Sequence, residues 1–264
     1  RVYFNLLGAL YHNHPVRIDI AGTVESIAKI DAELLYRCYN TFYNLHNMVL
    51  TIAGNFDVDA ALAVADKVLQ PAKPIQIESI APEEPETVCK KRVEQEFEVA
   101  LPLFQIGYKG KSRGGAASMQ DAVVDEILVE ILMGETSPLY EDLYSQGLIN
   151  NGFVGEVMAS RDYYCTIFSG ESKDPDKVYQ LLMAEIDRLK REGVPPEDFE
   201  RAKKAMYGRY ISMYSRAESI AGLMTQAHFS GADVYDVLEM AAGSTLEQLT
   251  QRLAAYDNEK SAIS

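Results

Sequence analysis

Tryptophan is absent from this 264-residue chain, cysteine occurs three times and histidine four times. Cys38, Cys89 and Cys165 lie far apart and are odd in number, so they make neither a disulfide framework nor a metal-ligand spacing. They indicate a reducing compartment, and each is read as a small apolar packing residue rather than a nucleophile. His12, His14, His46 and His228 belong to no His-x-x-Glu-His or His-Glu-x-x-His segment, which excludes a helix-borne metal site of that kind here. Basic residues are scarce as well. The 25 Lys and Arg against 39 Asp and Glu leave a formal charge of −14, which argues against nucleic acid as a partner because phosphate binding needs clustered cations. No apolar run approaches the roughly 18 residues of a membrane span.

What is present is a globular composition, 47% hydrophobic and 24% charged, sufficient to bury a core. Residues 1–69 read as helix, helix, strand, helix, and the chain opens inside an amphipathic helical pattern at Arg1–Tyr11. Gly22-Thr23 starts a short helical turn, and Asp31 caps a longer helix with Leu34, Leu35, Cys38 and Phe42 on one face. Met48 to Ala53 is nearly continuous apolar sequence stopped by Gly54-Asn55, which predicts a buried strand. Asp57 or Asp59 opens the next helix. Between 70 and 96, Pro71, Pro74, Pro82 and Pro85 alternate with Glu78, Glu83, Glu84 and Glu86, the composition of an extended connector.

The remainder reads as a longer α+β unit. Phe97 to Lys109 is strand-like, with Pro102 marking an edge or bulge. Ser118 is expected to cap a helix, Gly134 to Pro138 breaks it, and Phe153–Met158 with Tyr163–Ser169 form a strand pair. Asp174-Pro175 opens a helix that ends at Gly193, Pro196 opens another, and Thr245 with Gln248 makes a capping box. Glu259–Ser264 is a candidate last strand. Tyr207, Tyr210 and Tyr214 read as packing residues with hydroxyls at the rim, and Arg201, Lys203, Lys204 and Arg209 as a solvated face. Lys109 to Gly115 lacks a phosphate-loop ending and is read as a flexible surface loop.

His14-Pro15, Gly22, Glu25, Tyr43, Asn47-Met48 and Gly54-Asn55, in that order, resemble the downstream half of the pitrilysin/insulysin and mitochondrial-processing-peptidase family of inverted-motif zinc peptidases. Ser137-Pro138-Leu139-Tyr140-Glu141-Asp142-Leu143 and Gln146-Gly147-Leu148 resemble the family's repeat domain, and the similarity is closest to a bacterial, cytoplasmic branch. The resemblance implies an α+β fold of two related domains, each a mixed or antiparallel sheet packed with helices, the first one truncated. Residues 1–72 would be the C-terminal part of the catalytic-type domain, 73–96 a linker, and 97–264 a second, non-metallated repeat domain.

It further implies a zinc metalloendopeptidase as the parent protein, with zinc held upstream of Arg1, so that no catalytic or metal residue is expected in this chain and the chain alone is inactive. Peptide or unfolded protein would be the substrate, bound extended inside a chamber, and a related subunit or a second copy the protein partner; neither nucleic acid nor membrane is expected. Asp125, Glu126 and Glu130, on the helix matching the family's zinc helix, are read as a solvated face. Relatives hold substrate backbone with an Arg and a Tyr; the matching strand is Tyr163–Ile167. Arg161, a few residues early, with Tyr163, Tyr164 and Tyr179, are the resulting chamber candidates. A catalytically dead scaffold subunit of the same family and an unrelated acidic α+β binding module are the alternatives.

Overall fold

Side-chain caps set most of the helix starts. In the computed structural model, which describes all 264 residues, Asp31, Asp57, Ser137 and Asp174 each accept a backbone N–H from three residues on, and Thr245 and Gln248 form the expected reciprocal box. Such caps satisfy donors that a helix leaves unpaired and contribute about 1 kcal/mol each. The first segment holds α1 (Val2–Leu10), α2 (Val24–Ile27), α3 (Ala32–Phe42) and α4 (Val58–Val68). After a long extended stretch come β1 (Leu103–Lys109), α5 (Gly115–Met133), α6 (Pro138–Ser145), β2 (Val154–Ala159), β3 (Tyr164–Glu171) and α7 (Pro175–Glu192). The chain ends with α8 (Pro196–Met213), α9 (Ala217–Ser230), α10 (Asp236–Gly243), α11 (Leu246–Ala254) and β4 (Ser261–Ile263).

The four strands form one antiparallel sheet in the order β2-β3-β1-β4. β1 starts at Leu103, six residues later than the apolar pattern begins, because Pro102 has no N–H to give the ladder. Alternation sorts its side chains: Phe104, Ile106 and Tyr108 enter the main core with α5, α7, α8 and α11. Gly107 faces the other way, toward α1, whose Leu6, Leu7 and Leu10 pack with Cys165, Ile167 and Ala262. A β-carbon at Gly107 would stand 2.8 Å from Leu10 Cδ1, so a larger residue would force the leucines of α1 to shift. The sheet is therefore covered on one face by its own helices and on the other by the first helix of the chain.

Two expectations fail. No residue between Pro15 and Leu103 is buried, and Met48–Ala53 forms no strand; Met48, Leu50 and Ile52 are 53%, 66% and 48% exposed. An apolar run becomes a strand only when a neighbouring strand takes its N–H and C=O groups, and all four strands of the chain are committed to the one β2-β3-β1-β4 sheet. Asp125 and Glu126 are also not a solvated face. Asp125 is fully buried, because its side of α5 is closed between Tyr164 of β3 and Arg252 of α11.

Candidate peptide-binding cleft

α5 forms the floor of a cavity of about 1190 Å³ that opens between the edge strand β2 and helices α8 and α9. Gly155, Glu156 and Val157 line it from the strand side, Met206, Arg209 and Tyr210 from α8, and Arg161 stands at one end. The edge is open by topology: β2 pairs with β3 on one side only. Gly155 lies directly over the floor, where a β-carbon would approach Val129 Cγ1 to 2.4 Å. An edge strand beside a deep, mixed apolar and polar trough can accept an extended chain through its free backbone groups.

Charged groups below the floor are all internally spent. Arg252 Nε lies 3.0 Å from Asp125 Oδ1, its other nitrogen reaches Oδ2, and the Tyr164 hydroxyl donates to Oδ2 at 2.6 Å. Burial raises the Asp125 pKa, while the Arg252 guanidinium and the Tyr164 hydroxyl pull it back. Arg113 grips Asp121 through two nitrogens at 2.6 Å each. Ser118, expected as a helix cap, instead accepts the backbone N–H groups of Arg113 and Gly114 at 2.8 and 2.9 Å, and Ser112 donates to the Ser160 carbonyl at 2.6 Å. The Lys109–Gly115 loop is thus tied to the turn that carries Arg161, not a loose surface loop.

Three carboxyl residues, Glu126, Glu156 and Asp233, line the cleft, and Tyr210 donates a hydrogen bond to Glu126. Burial pushes the Glu126 pKa up against the pull of Tyr210 and Arg209. Arg209 pairs with Glu130 at 3.0 Å.

The four chamber candidates separate in space. Arg161 reaches the cleft; Tyr163, next to it, packs its ring 5.3 Å from that of His14. Tyr164 points beneath the floor to Asp125. Tyr179 lies at the opposite edge of the sheet, bonded to Ser261 of β4 and to Asn258. Glu126, Arg209 and Tyr210 had no distinctive spacing to mark them as neighbours of Arg161. The Asp121/Asp125 pair was detectable: two acids four apart in a helix otherwise rich in apolar residues ask for buried cations.

Residues 29–206 match the family described as the Peptidase M16 inactive domain. The chain belongs to that family. That membership removes the reading as an unrelated acidic module. The M16 chain is 32% identical over 255 residues to an uncharacterized zinc protease, YmfH, of Bacillus subtilis, covering 94% of this chain and 59% of that protein. A solved structure described as an M16-like peptidase from Alicyclobacillus acidocaldarius superposes with a TM-score of 0.95 at 32% identity, covering all of this chain and 64% of the other. A protease from Helicobacter pylori shares the fold at a TM-score of 0.81 and 16% identity, over 99% of this chain and 64% of its own. The M16 chain thus spans about three-fifths of the relatives it matches.

The residues present do not suit zinc. No group of three His, Cys, Asp or Glu side chains is arranged to hold a metal ion, and the acids of α5 are bound to arginine and tyrosine. No helix is long and apolar enough to cross a membrane.

Proposed function

We propose that this chain is the non-metallated part of a zinc metalloendopeptidase, forming one wall of the space that encloses its peptide substrate. In this reading residues 1–72 complete the catalytic-type domain, 73–96 link, and 97–264 are the opposing repeat domain. The zinc site and its general base belong to the portion of the longer relatives that this chain does not span. The observation that carries the reading is the cleft along the open edge of β2. There a substrate backbone adds as a further strand, its side chains enter the trough, and Arg161 stands at the end to meet a carbonyl or carboxylate. Recognition through backbone groups suits peptides or unfolded protein of varied sequence.

The large apolar side chains left uncovered between Ile18 and Leu69 support the same reading: they are the inner surface of a domain that needs a further segment, or a related subunit, to close. Three unpaired cysteines support a bacterial cytoplasmic location. The test is hydrolysis of a quenched fluorescent peptide library. The purified chain should be inactive with and without zinc, and should gain chelator-sensitive activity when mixed with the N-terminal segment of a longer relative that carries its own zinc motif. Zinc-dependent cleavage by the chain alone would overturn the proposal.

A further inference from the structure

Glu84, in the proline-rich connector, and Lys109, the last residue of β1, are 13% and 4% exposed at their side chains and lie 2.5 Å apart. The carboxylate does more than pair. Its Oε1 accepts the backbone N–H of His12 at 2.7 Å, and its Oε2 accepts those of Asn13 and His14 at 2.7 and 2.8 Å. Three successive amides just past the end of α1 thus converge on one anion, a nest of the kind that irregular backbone forms around bound phosphate. The ammonium is equally occupied, donating to the carbonyls of Pro85 and Thr87 at 2.6 and 3.1 Å and standing 5.0 Å from the centre of the Tyr11 ring. Tyr11 in turn donates to the Tyr164 carbonyl at 2.9 Å. The neighbouring His14 ring packs on Tyr163, with its Nε2 3.4 Å from Asp162, in the same turn as Arg161.

We propose that Glu84 and Lys109 form a latch that pins α1 and the His14-Pro15 turn to the sheet, and so set where residues 15–80 stand relative to the Arg161 end of the cleft. Three separate stretches of chain meet in the one ion pair: the end of α1, the connector and β1. With the latch closed they move as one body. With it open, α1 loses its anchored end and can lift from Gly107, Ile167 and Cys165. This positioning role holds whether or not the cleft takes a peptide.

Cys165 reports the opening. It is fully buried beneath α1, and burial pushes its thiol up to about 12, so it is inert while the helix is in place. With Cys38→Ser and Cys89→Ser leaving it as the single thiol, its reaction with a maleimide should run about a hundredfold faster in Glu84→Gln, which leaves the buried Lys109 ammonium without its counter-charge, and should also rise, by less, in Lys109→Met, where Glu84 keeps its three amides. The labelling should change little with low urea, as expected for local rather than global opening. A rate equal to the parent's in both variants, or one that follows global unfolding throughout, would overturn the latch. Amide exchange on the unsubstituted chain needs no variant: the amides of His12, Asn13 and His14, in an irregular turn, should exchange as slowly as those of β1. Rapid exchange at all three would equally overturn it.

Discussion

Asp125 and Arg252 are separated by 127 positions and meet as a two-point ion pair under the cleft floor, with Nε 3.0 Å from Oδ1. The pair joins α5 to α11, and the guanidinium also lies 4.9 Å over the Tyr164 ring, so one cation seats the central helix, the last helix and β3 together.

Arg252→Met should be severely destabilising, by about 3–5 kcal/mol, because it leaves a fully buried carboxylate without a counter-charge, held only by the Tyr164 hydroxyl. Its pH dependence follows from the sign. Without Arg252, burial raises the Asp125 pKa above its unfolded value, so the folded chain holds the proton more tightly and loses stability as pH rises. Adding Asp125→Leu should recover most of the loss. Urea midpoints between pH 5 and 8 check all three statements.

Glu84 gives the opposite pH slope. Burial opposes its ionisation, but the Lys109 ammonium and the three backbone N–H groups win and hold its carboxyl at about 2. Its unfolded value is about 4.3, so the stabilisation is complete at neutral pH and is lost as pH falls from about 4 toward 2. Acid titrations of stability should show this limb in the parent and not in Glu84→Gln.

Limited proteolysis should cut first between residues 17 and 80, where no residue is buried, and leave the region from about 104 onward intact. The α1 peptide should stay bound to that core after cutting, because its contacts are to the sheet. Mass spectrometry of the fragments that co-elute on a sizing column decides this. Loss of α1 with the first cut would contradict the packing seen.

Gly155→Val should cost about 1–3 kcal/mol by overpacking against Val129 and Phe168, and it should weaken capture of an extended peptide at the β2 edge. Arg161→Ala should leave stability within about 0.5 kcal/mol, as an exposed side chain, while lowering peptide affinity. Thermal melts and fluorescence anisotropy with a labelled peptide separate the two effects.

Much of the fold was legible along the chain. Asp31, Asp57, Asp174-Pro175 and Thr245/Gln248 specify helix starts because a cap acts within three or four residues of itself, and the β2–β3 pair followed from two apolar runs around one short turn. His14-Pro15 to Gly54-Asn55 was enough to identify the family for the same reason: its signals are ordered spacings. What needed the third dimension was everything that depends on who covers whom. Met48–Ala53 has the composition of a strand and lacks a partner. Asp125 looks like a surface acid until Arg252 arrives from the far end of the chain, and Glu84 looks like linker charge until Lys109 and three amides close on it. Local sequence determined the elements and the family, since capping and periodicity are short-range. Tertiary structure alone decided which charges are buried, which edge is open and which helix straps the sheet, because pairing and burial depend on residues remote in the chain.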